Sequence, residues 1–266
     1  MKDAALVLVG HGSTRHPDGA APVLALADQI RALNRFAQVE AVFMKQEPSL
    51  ASVEARLRFP LVVVVPVFAG KGYYTDTLIP REMGLTGPVT QRDGRRYFYT
   101  PPAGTHPRIP GLMACRAEGV ANVAGMAVAD STLLLIAHGS SRPGGAGDTP
   151  RAIAAAMAAM NRFAQIELVF LEQEPKAADW AARVRCRDVV ALPLLVAQGM
   201  HASLDIPPLF GLSQGEAGPK EALGHRVVLA TGIGAEPDLV DVILEMVGVA
   251  EVKLAKPGNS GPTETR

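Results

Sequence analysis

The chain repeats itself at domain scale. Residues 6–16 read LVLVGHGSTRH and residues 133–143 read LLLIAHGSSRP; residues 34–48 read NRFAQVEAVFMKQEP and residues 161–175 read NRFAQIELVFLEQEP. A constant offset of 127 residues separates His11 from His138, Asn34 from Asn161 and Glu47 from Glu174. It still holds at Pro66/Pro193, Gly72/Gly199 and Pro80/Pro207, so about 75 residues align without a gap. A period this long is a duplicated domain and not a solenoid of short repeats. Further on, RRYFYTPPAGTHP (95–107) resembles HRVVLATGIGAEP (225–237) at an offset of 130, so a few residues were inserted or lost between. The boundary falls near Ala127-Val128-Ala129-Asp130, which divides the chain into repeats at 1–127 and 128–255. The polar, Gly/Pro-rich KPGNSGPTETR at 256–266 is expected to be a disordered tail.

Each copy predicts the same order of elements. An all-apolar strand comes first, Ala5–Val9 or Thr132–Ala137, as expected of a parallel strand covered on both faces. A polar Gly/Ser loop leads into a helix over Pro22–Asn34 or Pro150–Asn161, with proline near its start. A second strand covers Val39–Met44 or Ile166–Leu171, a second helix Ser49–Arg58 or Lys176–Arg185, and a third strand Leu61–Phe68 or Val189–Val196. After a Gly-rich loop and a helix comes a fourth strand, Tyr97–Thr100 or Val227–Ala230. This alternation predicts an α/β fold of two similar, doubly wound parallel-sheet domains.

Composition narrows the function classes. Apolar residues make up 48% and charged residues 20%, with zero formal net charge, which argues against nucleic acid or an acidic membrane surface as partner. Two cysteines far apart, Cys115 and Cys186, give no C-x-x-C pair, so an iron–sulfur cluster or a cysteine-rich zinc site is not expected. The apolar run ending at Val9 is too short for a secretory leader, and no stretch reaches the roughly 18 apolar residues of a membrane span. A cytoplasmic protein is expected.

Ligands of open parallel sheets bind beyond the carboxyl ends of the strands. His11 and His138 directly follow the first strand of each copy, and His201 lies in the loop after the third strand of the second copy. Histidine is the commonest protein metal ligand and accepts protons near neutrality. Glu172, just past the second strand, would complete a set of open-sided donors with His138 and His201. Glu174 recurs as Glu47, each followed by proline, and reads as repeated turn structure. At the three positions of the set the first copy holds His11, Lys45 and Tyr74. A lysine beside a divalent cation is electrostatically unfavourable, so the first copy's metal site reads as degenerate. Simpler readings of the same residues exist. His-Gly-Ser after a strand can cap the next helix through its serine, or its helix N-terminus can bind phosphate. Neither Ser13 nor Ser140 sits in a G-x-S-x-G elbow. His16, His106 and His225 have weaker claims, and His225 reads as a surface residue before a strand.

GHGS at 10–13, AHGSSR at 137–142 and LPLLVAQGMHASLDIP at 192–207 resemble the CbiX-type sirohydrochlorin chelatases, class II tetrapyrrole chelatases that insert a divalent metal without ATP. The resemblance covers nearly the whole chain and is to the long, tandem form; short members build the same shape as homodimers. It implies two chelatase-like domains facing each other across a cleft. It also implies a sirohydrochlorin cobaltochelatase or ferrochelatase serving cobalamin or siroheme synthesis, with His138, His201 and Glu172 as catalytic and metal-binding residues. Long members usually keep the histidine pair in the first half, where Tyr74 stands here. Sirohydrochlorin carries eight carboxylates, so His11, Tyr74, Ser140 and Arg142 are candidate substrate contacts. Arg15, Lys71 and Arg81 are either cationic rims or plain solvated surface. No tightly bound cofactor is expected; Co²⁺, Fe²⁺ or Ni²⁺ is a substrate. A monomer is expected, since the tandem copies need no dimer to form a cleft, with a homodimer as the alternative. The rival functions are a non-catalytic tetrapyrrole- or metal-binding protein and an unrelated hydrolase or phosphatase.

Overall fold

Every residue of the first strand, β1 (Ala4–Gly10), is buried. In the computed structural model, which describes residues 1–14, 19–140, 147–196 and 204–255, β1 is flanked by parallel strands on both sides. The first sheet also contains β2 (Gln38–Phe43), β3 (Leu61–Pro66), β4 (Val89–Arg92) and β5 (Arg95–Tyr99), in the order β2-β1-β3-β5-β4. The second contains β6 (Thr132–Ala137), β7 (Gln165–Phe170), β8 (Asp188–Pro193), β9 (Lys220–Ala222) and β10 (His225–Leu229), in the order β7-β6-β8-β10-β9. Pairing is parallel except at the edge strands β4 and β9. The helices are α1 (Ala21–Ala32), α2 (Ile79–Glu82), α3 (Ile109–Val123), α4 (Asp148–Ala158) and α5 (Leu239–Ala255). Two doubly wound α/β domains of one design result, as the repeat predicts.

Several elements differ from expectation. The helices expected over 49–58 and 176–185 are short 3-10 turns, at Leu50–Ser52, Glu54–Arg56 and Ala177–Ala182. The first residue of β2 explains why. The Gln38 amide donates to Arg56 O at 2.8 Å and accepts from Arg58 N–H at 3.1 Å. Gln165 does the same to Arg183 O at 2.9 Å and Arg185 N–H at 2.9 Å. These are the backbone groups a continuing helix would use, and a side chain holds them instead. The third strands end early, at Pro66 and Pro193: each proline lacks the N–H that would bond toward the fourth parallel strand, while Val67 and Leu194 N–H still donate to Val9 O at 2.8 Å and Ile136 O at 2.7 Å on the other side. The hairpins that add β4 and β9 were not expected. They turn at Asp93-Gly94 (φ 50° and 73°) and Leu223-Gly224 (φ 51° and 86°), the left-handed pair of a two-residue turn.

Helices α3 and α5 close the two copies and decide how they join. Helix α3 packs on β8, β10 and α4 of the second copy, and α5 packs on β3 and α1 of the first. One apolar core therefore runs from Leu6, Val63 and Phe98 through Val23, Met113, Ile153 and Ile243 to Leu133, Val190 and Val228. The opposite face of each sheet has its own core, around Leu50, Ile79 and Tyr97 in the first copy and Trp180, Ile206 and Phe210 in the second. Polar contacts reinforce the exchange. Arg116 of α3 reaches Glu236 at 2.9 Å, Ala235 O at 2.8 Å and the Thr231 hydroxyl. Among the described residues no helix is long and apolar enough to cross a membrane.

Candidate active site

The strand order places a switch point between β1 and β3 and another between β6 and β8, where connections leave in opposite directions and a crevice opens. His11 and His138 follow directly on the strands beside these points. Each is presented by the same small frame. Gly12 and Gly139 have φ of 69° and 75°. A Cβ there would meet Gln46 Cγ at 2.8 Å or Gln173 Cγ at 2.7 Å, so only glycine fits on both counts. Those glutamines accept from the following serine N–H, Gln46 from Ser13 at 2.7 Å and Gln173 from Ser140 at 3.0 Å. The histidine carbonyls accept from Lys45 N–H at 3.0 Å and Glu172 N–H at 2.9 Å. Each imidazole Nδ1 lies against the next carbonyl, Gly12 O at 2.8 Å or Gly139 O at 3.0 Å. A carbonyl only accepts, so Nδ1 carries the proton, and in the neutral ring Nε2 then holds the lone pair, the tautomer a metal ligand needs.

In the second copy this frame brings His138 Nε2 within 3.7 Å of the Glu172 carboxylate, both side chains being roughly half exposed. A lone pair and a carboxylate thus converge on one solvent-accessible point, an arrangement suited to a divalent cation held on one side only. Glu174 stays out of this pair. Its carboxylate accepts from Lys176 N–H at 3.2 Å, as Glu47 accepts from Ser49 N–H at 2.8 Å, within a repeated turn.

In the first copy the corresponding place is aromatic. The Tyr74 ring stands edge-on to His11 at 4.8 Å and nearly parallel to Phe68 at 6.1 Å, with Tyr73 at 5.9 Å. Tyr74 opens a π-type turn, Tyr74–Leu78, tied down at its start. Asp76 N–H donates to Gly72 O at 2.8 Å, Gly72 N–H to the Thr75 hydroxyl at 3.0 Å, and the Tyr99 hydroxyl to Thr75 O at 2.6 Å. Burial pushes the Tyr99 phenol well above its ordinary range, so it donates at any physiological pH.

The structure therefore brings His138 to Glu172 and His11 to Tyr74. His201, Arg142, Arg15 and His16 lie outside the described residues. Among the described residues no three His, Cys, Asp or Glu side chains form a metal-holding group. Ser140 is engaged through its backbone N–H, and the N-cap positions of α1 and α4 are held by Ala20 and Gly147 and not by Ser13 or Ser140. Arg81 pairs with Glu82 at 2.9 Å. Lys71 N–H donates to the Thr149 hydroxyl at 3.2 Å, which lays the first copy's loop against the start of α4. His225 is no bare surface residue, since its ring bonds Cys186 O at 2.9 Å and packs on Trp180 at 5.5 Å.

Three features escaped the sequence reading. Gln46 and Gln173 were legible as identical residues at the repeat offset, yet they lie inside a run that reads as turn. Gly104 and Gly234 let the turn after the fourth parallel strand press on the loop after the third; a Cβ would come within 2.2 Å of Ala69 O or 1.8 Å of Val196 O. Arg151 lies over the Phe170 ring at 5.4 Å and adds a cation beside the second copy's frame, with no sequence signal beyond its place in α4.

The family model described as CbiX matches residues 5–120 and again residues 132–250. A probable sirohydrochlorin cobaltochelatase of Halobacterium salinarum is 30% identical over 262 residues, covering 91% of this chain and 89% of that protein. A sirohydrochlorin cobaltochelatase of Methanococcus maripaludis is 29% identical over 143 residues, which is 44% of this chain and 99% of that protein. Among solved structures, the multi-domain protein DR2241 of Deinococcus radiodurans, described as structurally similar to chelatases with two additional domains, superposes with a TM-score of 0.75 at 30% identity. That match covers 92% of this chain, which spans about half (54%) of the DR2241 chain.

Proposed function

This chain belongs to the CbiX family, and from that premise we propose that it is an ATP-independent sirohydrochlorin chelatase, inserting Co²⁺ or Fe²⁺ through a site in its second half. The observation that carries this reading is the convergence of His138 Nε2 and the Glu172 carboxylate at 3.7 Å on a frame that fixes the imidazole tautomer. His201 is the third member. Its counterpart at the repeat offset, Tyr74, meets His11 in the first copy, and this correspondence supports including His201 in the set. Within this reading the repeats are the two domains, divided near residues 127–130, and the tetrapyrrole lies in the cleft between them. The chain acts as a monomer. The two free cysteines suit the cytoplasm.

The metal binds through lone pairs of His138, His201 and Glu172, with coordination positions left open for the macrocycle. As it passes to the four ring nitrogens, two pyrrole N–H bonds break. The lone pairs vacated by the metal accept those two protons, so charge balances within the site. Nickel fits the same donors.

The test is metallation of sirohydrochlorin with Co²⁺, Fe²⁺ and Ni²⁺ in turn. Wild type should exceed the spontaneous rate, and His138→Ala and His201→Ala should each lower kcat/KM by about 100-fold or more. A wild-type rate equal to the spontaneous one, with tight tetrapyrrole binding, would favour a non-catalytic binding protein, the reading suggested by Lys45 and Tyr74 in the first copy. Loss of activity in His11→Ala but not in His138→Ala would move the site to the first half.

A further inference from the structure

The first copy's strand-end site has not simply lost its ligands. Its aromatic rings pack on one another above a hydrogen-bonded turn. The π-type turn that begins at Tyr74 is fastened by three hydrogen bonds, one of them from the half-buried Tyr99 phenol. Phe68 and Tyr74 lie nearly parallel, 22° apart, and His11 closes one side. Tyr73 is 55% exposed at the rim; the exposed side chain of Lys71 belongs to the loop that carries Phe68 and Tyr74, and the exposed side chain of Lys45 belongs to the loop after β2, where the Lys45 backbone N–H bonds His11 O at 3.0 Å. Where the second copy offers a carboxylate, this one offers Lys45, a cation that disfavours a metal and attracts an anion. The loop at Gly70–Lys71 also touches Thr149 at the head of α4, so the aromatic cluster adjoins the second copy's frame.

Resting on the chelatase reading above, we propose a division of labour: the first half's His11–Phe68–Tyr74 cluster, with Tyr73 and Lys45, is a docking platform for the π face and carboxylates of the macrocycle and holds no metal. Aromatic rings bind a planar conjugated ligand by offset or edge contact, and the lysines meet its carboxylates. The platform holds the organic substrate while the second half delivers the ion.

Metal-free sirohydrochlorin is titrated into metal-free wild type, Tyr74→Ala, Tyr74→Phe and Tyr73→Ala, following macrocycle fluorescence. Co²⁺ alone is titrated into the same proteins, following its visible absorption. Tyr74→Ala should weaken macrocycle binding roughly ten-fold, the scale of one aromatic contact. Tyr74→Phe should stay within about two-fold, because the ring and not the hydroxyl does the binding. Cobalt affinity should be unchanged throughout, and in turnover Tyr74→Ala should raise KM with kcat retained. A further variant guards against misfolding of Tyr74→Ala. Lys45→Glu with Tyr74→His copies the second half's donors and should bind one more equivalent of Co²⁺ than wild type while losing macrocycle affinity. Wild-type macrocycle affinity in Tyr74→Ala, or a change in its cobalt affinity, would overturn the platform. The two readings fail separately: Tyr74-dependent macrocycle binding without accelerated metallation removes the chelatase and leaves the platform, whereas metallation with Tyr74-independent binding removes only the platform.

Discussion

Lys45 and Glu172 occupy the same backbone place, each donating its N–H to the carbonyl of the preceding strand-end histidine. At this position the two sites therefore differ by side chain and not by backbone, and exchanging the side chains should exchange function. Glu172→Gln keeps size and removes charge; it should weaken Co²⁺ binding at least about ten-fold, as loss of even an outer-shell partner does, measured by isothermal titration. Glu172→Lys should abolish cobalt binding, since it sets an ammonium beside the ion. Gln173 tests the frame. Gln173→Ala leaves Ser140 N–H without its side-chain acceptor, which costs about 1–3 kcal/mol if water cannot replace it. Its melting temperature should fall, and kcat/KM should fall further than stability alone explains, because the Gly139 turn that aims His138 rests on this side chain. His138 and Glu172 were legible in the sequence because chemistry and strand-end position coincide there. Gln173 was not, because a glutamine's role lies in what its amide reaches across 33 residues of chain.

Strands and helices were unequally legible for a physical reason. Buried parallel strands are written as unbroken apolar runs such as LVVVVP at 61–66, and these declare themselves. The short turns after β2 and β7 carry helical composition, yet Gln38 and Gln165 hold the backbone groups that would extend them. No local pattern reports such a tertiary contact. The destination of α3 is equally silent in sequence, because its apolar residues Met113, Ala117 and Ala121 would suit either sheet. Since α3 serves the second sheet and α5 the first, residues 1–127 made alone would leave one sheet face uncovered while holding a helix without a seat. Two such fragments satisfy each other by the same exchange. The isolated fragment should therefore run as a dimer in light scattering; a well-folded monomer at micromolar concentration would contradict the exchange. Gly104→Ala in the full chain tests the other inter-element constraint. Its Cβ would press on Ala69 O at 2.2 Å, so the loop after β3 must move, and unfolding in urea should shift to lower concentration by about 1–3 kcal/mol of stability.

Across the whole molecule, the exchange brings titratable groups of both halves together at one seam. His106 precedes α3, and its Nε2 lies 3.6 Å from Glu245 of α5. Arg108 donates to the same carboxylate at 2.5 Å, and its backbone N–H donates to His106 Nδ1 at 3.3 Å. Asp238 completes the set at 4.0 Å from Arg108. The ring's own hydrogen bond thus uses the neutral form. Burial lowers its pKa below the ordinary 6.5; Glu245 opposes this and Arg108 adds to it. In the unfolded chain His106 takes up a proton as pH falls through about 6.5, while in the folded chain uptake waits for a lower pH. The unfolded state binds more protons in that window, so stability must fall as pH drops from 6.5 to the folded value and level off below it. His106→Gln removes the titration while keeping a hydrogen-bonding side chain. Urea midpoints measured from pH 7.5 to 5 should decline less steeply in this variant than in wild type. Identical slopes would show that His106 is not shielded at the seam. A wild-type midpoint that rises as pH falls would mean that Glu245, and not burial, governs the ring and the packing of α5 against the first half.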